Sequence, residues 1–430
     1  MVIHSDKLNT IPLQVNAELG RMVVGSDAAT QKAHILHCNY YNTYLQRTIW
    51  QDAGKFFDTA PILVGAAAEQ ARVQLSGLFA DQGLKEVERR KVFASNFYSW
   101  QGFGTIDLTN LGPQGRTVPT AKQHYVEGWK TQFGLAKSPV GLMTQGWLSG
   151  AADAIFDLDP GTLKPCQTEC GAVTGADKSV FVLSTEGPDF PIYNTGGIGT
   201  TLGGSAPASI GHNIDNAAVA QAVLGLPLFG DAIKTNGLVE SFGVLISWHP
   251  HQYYDRISFE TVHKAVELYG DEGRILTEPL LEEAGHRCAF RTFGGIWRSQ
   301  EWAAVVEPMC KTQEDWVHGM LAIINCAGWG KVSCTKLTPD EAEFVVVDDY
   351  ESVGYTHLYG KPDFAPTYLF KGGFRGIMNL IYNGGMMQKP ALSEDFYNAL
   401  ITRHDAFEVE VVECQAQGAA QSTFRVVRKG

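Results

Sequence analysis

One stretch of this chain occurs twice. Residues 102–150 read GFGTIDLTNLGPQGRTVPTAKQHYVEGWKTQFGLAKSPVGLMTQGWLSG, and residues 328–376 read GWGKVSCTKLTPDEAEFVVVDDYESVGYTHLYGKPDFAPTYLFKGGFRG. Gly102 and Gly104 fall on Gly328 and Gly330, Trp129 on Tyr355, and Gly146 and Gly150 on Gly372 and Gly376, each pair 226 residues apart. A spacing kept over 49 positions reads as two diverged copies of one unit. At 430 residues the chain exceeds the size at which a single core keeps growing, so two domains suit both length and repeat.

Composition narrows the function classes. The 34 basic and 46 acidic residues give a net charge of −12, which argues against a nucleic-acid surface and an anionic membrane surface. No apolar run is long enough to span a bilayer. MVIHSDKLNTIPLQV lacks the pattern of a signal peptide. The eight Cys lack disulfide-like spacing, so reduced, buried thiols in a cytoplasmic protein are expected.

Residues 1–30 read as an irregular arm, and 28–52 as a helix or two. Residues 60–92 read as helical, 91–111 as strands with a tight turn, 139–156 as a helix, and 179–185 as a strand closing the first unit. The small residues Gly146, Gly150 and Ala151 would let a neighbouring element approach closely. Residues 242–270 match 30–52 loosely, with Tyr40-Tyr41-Asn42 facing Tyr253-Tyr254-Asp255. Strands are expected at 343–350 and in the final FEVEVVEC and STFRVVRKG, and helices at 371–384 and 394–404. The Gly/Ser/Thr-rich segment 194–213 reads as a linker between residues 1–193 and 214–430. It lacks the Gly-Lys-Ser/Thr ending of a phosphate loop.

The order Gly-x-Gly, apolar strand, Tyr350-Glu-Ser-x-Gly-Tyr355, Gly372-x-x-x-Gly376 on an apolar helix, then a Cys before a small-residue turn and strand, resembles the 4-vinyl-reductase, or hydrocarbon-binding, domain family. Cys170-Gly-Ala-Val-Thr-Gly and Cys414-Gln-Ala-Gln-Gly stand at its Glu-x-x-Cys-x-x-x-Gly motif. The family includes sensor modules of phenol-responsive activators and proteins linked to bacteriochlorophyll synthesis. The resemblance implies an α/β (α+β) sandwich similar to transport-particle (TRAPP) subunits, enclosing an apolar pocket and commonly dimeric. Tandem copies would then pair as an internal pseudo-two-fold dimer, as a monomer or within a homodimer. Sensor-type members bind zinc. Here the ligand positions carry Gly141 and Thr367, Gln167 and Val411, and Lys178 and Ser422, leaving only Cys170 and Cys414. One ligand per half falls short of a tetrahedral site, so no metal and no cofactor are expected, although Cys166, Glu169 and Cys170 leave a rearranged site open.

Aromatic residues crowd the expected pocket: Phe103, Tyr125, Trp129 and Trp147 in the first copy, Trp329, Tyr350, Tyr355 and Tyr368 in the second. Core packing accounts for any one of them. As a set with polar tips they suit a small aromatic ligand. His34 and His37 would share a helix face, with His249 and His251 at partly matching places. His37, His124, His249 and His286 are the candidate acid/base groups, and structural histidines or a metal or haem ligand are the other readings. Asp348, Asp349 and Glu351 could raise one another's pKa, though a solvated strand end explains them more simply. No nucleophile elbow is legible. The reading is a protein that encloses a small hydrophobic, aromatic molecule, within aromatic-compound metabolism. The alternatives are an enzyme acting on an aromatic or tetrapyrrole substrate, and a structural or tethering protein.

Overall fold

The computed structural model describes residues 3–4, 10–25, 32–194, 202–228 and 231–430. Part of the 1–30 arm and residues 195–201 of the expected linker lie outside them. The chain is mixed α and β, with three larger antiparallel sheets.

The arm is ordered where described. Strands β1 (Leu13–Asn16) and β2 (Arg21–Val24) form a hairpin. β3 (Lys32–Cys38) follows and runs directly into helix α1 (Asn39–Arg47). Helices α2 (Ala60–Asp81) and α3 (Val87–Trp100) come next. KVFASNFYSW is therefore helical, not extended. Phe93, Phe97 and Trp100 stack along one face, with ring centroids 6.2 and 5.5 Å apart, because residues three and four apart meet on a helix.

β4 (Thr105–Ile106), β5 (Thr117–Ala121), α4 (His124–Phe133), α5 (Leu142–Phe156), β6 (Lys164–Glu169) and β7 (Lys178–Ser184) complete the first half. The second half begins with β8 (Val239–Ser241) and β9 (Val244–Pro250), then helices α6 (His251–Tyr269), α7 (Glu272–Cys288) and α8 (Gln313–Ile324). It ends with β10 (Lys331–Leu337), β11 (Glu341–Val347), α9 (Tyr350–Tyr359), α10 (Tyr368–Met378), β12 (Phe407–Glu413) and β13 (Ser422–Arg428).

Two four-stranded sheets share one order, β4-β5-β7-β6 and β10-β11-β13-β12. Each has a register irregularity on its edge strand, at Gln167/Glu169 and Val411/Glu413. Helix α2 packs on α5, and α7 on α10. Both helices after the second strand end on a glycine of positive φ, Gly134 at 73° and Gly360 at 80°, a conformation that glycine adopts without strain.

The third sheet, β8-β9-β3-β2-β1, joins the halves. β3 and β9 run antiparallel with Leu36 opposite Trp248 and His37 opposite Ser247. Each strand docks on the other half's Gly-x-Gly turn. The Leu36 amide donates to the Ala327 carbonyl and the Trp248 amide to the Gln101 carbonyl, both at 2.9 Å. Beside these, the Gly330 amide meets the Gly20 carbonyl at 3.0 Å and the Gly104 amide meets the Gly237 carbonyl at 2.8 Å. A Cβ at Gly20 or Gly237 would overlap the opposing backbone, so both crossings require glycine.

Two expectations change here. His34 and His37 lie on a strand, where a three-residue step puts them on opposite faces. Helices α1 and α6 begin at Asn39 and His251, which makes Tyr253 the counterpart of Tyr41 and His249 the counterpart of His37, one residue off the sequence match.

Candidate functional site

Of the three buried histidines on the β3–β9 ribbon, two, His37 and His249, each lie inside an aromatic shell. The His37 ring lies 4.3 Å from Tyr41, 4.6 Å from Tyr254, 4.7 Å from Trp329 and 6.3 Å from Tyr350. It is 1% exposed, and neither ring nitrogen has a hydrogen-bond partner. Burial pushes its pKa well down, so it is a neutral imidazole.

His249 differs in one respect. It sits 4.6 Å from Phe103, 4.7 Å from Tyr253 and 5.1 Å from Tyr254. Its Nδ1 pairs with Gln70 Oε1 at 3.0 Å and its Nε2 with the Tyr125 hydroxyl at 3.4 Å. Burial pushes this imidazole well down too. Next to it, His124 Nε2 meets Asn42 Nδ2 at 2.9 Å, and burial holds His124 at about 3. The Tyr254 hydroxyl donates to Asn42 Oδ1 at 2.6 Å. One histidine is thus fully engaged, and its counterpart is not.

Space follows the same asymmetry. A cavity of about 50 Å³ opens against His37, walled by Cys38, Cys288, Thr292, Phe293 and Trp329. A void of about 10 Å³ lies beyond Phe293 and Trp329, against Phe370. The larger is about a third of the roughly 150 Å³ that holds benzene in an engineered protein cavity.

The carboxylates are buried, not solvated: Asp348, Asp349 and Glu351 are 6%, 0% and 4% exposed. Asp349 caps α9 by accepting from the Ser352 amide at 2.6 Å. Glu351 accepts from the Leu369 and Phe370 amides, 3.0 and 3.3 Å away, where α10 begins. Burial pushes Asp349 up and Glu351 well up. His251 Nδ1 lies 2.6 Å from Asp255 Oδ2. Burial, reinforced by Asp349, pushes Asp255 well up, and burial holds His251 at about 4.

The sequence-derived candidates divide accordingly. His37, Trp329 and Tyr350 share one shell. His124, His249, Phe103 and Tyr125 share the other, with Trp147 one ring further out through Tyr98 at 4.8 Å. Four lie elsewhere. Trp129 packs with Trp50 and Phe133 in a separate apolar cluster. The Tyr355 hydroxyl meets His263 Nε2 at 2.9 Å, and the Tyr368 hydroxyl donates to Glu278 at 3.1 Å. His286 is engaged on both nitrogens, by the Tyr397 hydroxyl at 2.9 Å and Asn379 at 3.2 Å. Sequence reasoning passed over Tyr41, Tyr254, Gln70, Asn42 and Asp255 as site residues, although the paired Tyr-Tyr dipeptides marked the place. Among the described residues no three His, Cys, Asp or Glu side chains gather closely enough to hold a metal ion. No helix among them is long and apolar enough to cross a membrane.

No family model and no curated protein matches this chain. Among solved structures it is similar to the phenol-responsive sensory domain of the transcription activator PoxR, solved with phenol. The match has 11% identity and a TM-score of 0.29, covering 40% of this chain and 74% of that one. So loose a likeness leaves the function to be argued from the residues.

Proposed function

We propose that this chain encloses a small aromatic molecule bearing a hydroxyl group, held beside His37. The observation that carries the reading is His37 itself: a buried imidazole, ringed by aromatic side chains, with no hydrogen-bond partner on either nitrogen, in a residue that borders an apolar cavity. A buried polar group without a partner costs about 1–3 kcal/mol. A ligand hydroxyl that pairs with it recovers that cost, while the rings of Phe293 and Trp329, both on the cavity wall, supply faces for an aromatic guest. The cavity must widen to admit one. Phe293, Ile324 and Trp329 border both voids, and Trp329 Nε1 donates to the Leu36 carbonyl at 3.0 Å, so admitting a guest requires this wall to move and that bond to break.

The same reading takes the chain as two diverged copies of one module, residues 1–193 and 214–430, paired by a pseudo-two-fold with exchanged arms. The shared sheet order supports it, as do the paired backbone bonds between each arm and the other half's Gly-x-Gly turn, whose turn residues recur 226 residues on. In that pair the His249 compartment is already filled by Gln70 and Tyr125, so one ligand per chain is expected.

Titration calorimetry with phenol and toluene tests the assignment. Phenol should bind the wild type at least about tenfold more tightly than toluene, the equivalent of one recovered hydrogen bond. His37→Phe should erase that difference. Equal affinities in the wild type, or no phenol binding, would sink the proposal.

A further inference from the structure

The cavity at His37 has a second chemical feature. Cys38, Cys288 and Cys326 all border it, and each is at most 3% exposed. Cys38 occupies the N-cap of α1, a nine-residue helix. The thiols of Cys38 and Cys288 share one hydroxyl, Thr292 Oγ1, at 2.6 and 3.6 Å. Thr292 can donate a single proton, and the shorter contact goes to Cys38. A helix N-terminus with a hydroxyl donor favours the negative charge of a thiolate.

The three thiols therefore differ within one cavity. Burial pushes Cys38 up, but its neighbours, Cys288 and Thr292 foremost, outweigh it and hold the thiol below its usual range, although the sulfur makes no capping hydrogen bond to the α1 amides. Burial pushes Cys288 well up, and Cys326 to about 11. His37, with two unused nitrogens, points independently to a ligand in the same space.

We infer that Cys38 is the nucleophile of this cavity and forms a thioether with a small α,β-unsaturated carbonyl compound, quinones included. The inference deepens the aromatic-ligand reading and rests on it for the identity of the space. In the step, sulfur donates an electron pair to the β-carbon and the C=C π pair shifts onto the carbonyl oxygen. The thiol proton ends on the resulting enolate. With a quinone the product is a hydroquinone thioether, because the ring regains aromaticity as the two carbonyl oxygens take up hydrogen. Atoms and electrons balance without an added oxidant.

The intact protein is incubated separately with methyl vinyl ketone and with p-benzoquinone, and adducts are mapped by peptide mass spectrometry over time. Cys38 should be modified about tenfold faster than Cys288 or Cys326. Thr292→Val should slow Cys38 and leave the exposed Cys166 unchanged. Labelling of Cys38 no faster than Cys326 would overturn the inference. Bound phenol should protect Cys38. Selective labelling without protection supports the nucleophile and counts against the phenol reading; protection without selectivity does the reverse.

Discussion

At the scale of single residues, His37 is the group whose surroundings leave most undone. It was legible as a histidine of interest, but for the wrong reason. KAHILHC runs into NYYNTYLQR with no glycine or proline between them, so strand and helix read as one helical segment. The pairing of β3 with β9, distant in sequence, decides the outcome. Asp349 and Glu351 were misread for a related reason: a strand end is exposed only if nothing packs over it, and here Ser422 and the start of α10 do. Two predictions follow from burial, with opposite signs. Native His37 is depressed below the usual histidine range, so the unfolded chain binds more protons below about pH 6.5, and stability is lost as pH decreases. His37→Phe lacks that loss. In urea unfolding its advantage over wild type should grow by about 1.4 kcal/mol between pH 7.5 and 5.5; a constant gap would contradict a buried neutral imidazole. Native Glu351 is raised, so the folded protein holds a proton that the unfolded chain releases above its ordinary range. Wild type should therefore gain on Glu351→Gln as pH falls from 7 to 5, by about 1.4 kcal/mol per unit while the native carboxyl stays protonated.

At the scale of elements, the glycine landmarks were the most readable part of the chain. Gly146 and Gly150 on α5, and Gly372 on α10, face backbone carbonyls of α2 and α7 that a Cβ would overlap. Close approach was the stated expectation for α5, and the helices do approach. Gly150→Ala and Gly372→Ala should each cost about 1–3 kcal/mol, the usual penalty of overpacking, measured by thermal unfolding. An unchanged midpoint would show that the helices can separate freely. Gly354 has a more specific role. A Cβ there would overlap the Asp255 carboxyl and dislodge it from His251. Periodicity failed at α3, whose aromatic residues mimic the short period of a strand until Phe93, Phe97 and Trp100 are counted at helical steps.

For the whole molecule, the matching stretches led to an expectation of two similar units, and two four-stranded sheets of one order are observed, but the connection between halves was not visible in the sequence. The match of Tyr40-Tyr41-Asn42 to Tyr253-Tyr254-Asp255 was off by one residue, because only the β3–β9 ladder sets the register. That ladder, with the Gly20–Gly330 and Gly237–Gly104 crossings, ties each half to the other's turn. If the halves are one exchanged pair, a protease site inserted in segment 194–213 should cut the chain without parting it. The two pieces should co-elute on native size exclusion and separate only in denaturant. Free fragments under native conditions would speak against the exchange.

The most direct test of the central claim is a crystal structure of the protein grown with phenol. Phenol is expected in the cavity walled by Phe293 and Trp329, with its hydroxyl within hydrogen-bond distance of a His37 ring nitrogen and that wall displaced to make room. Phenol bound elsewhere on the molecule, or a His37 cavity unchanged at about 50 Å³, would contradict it.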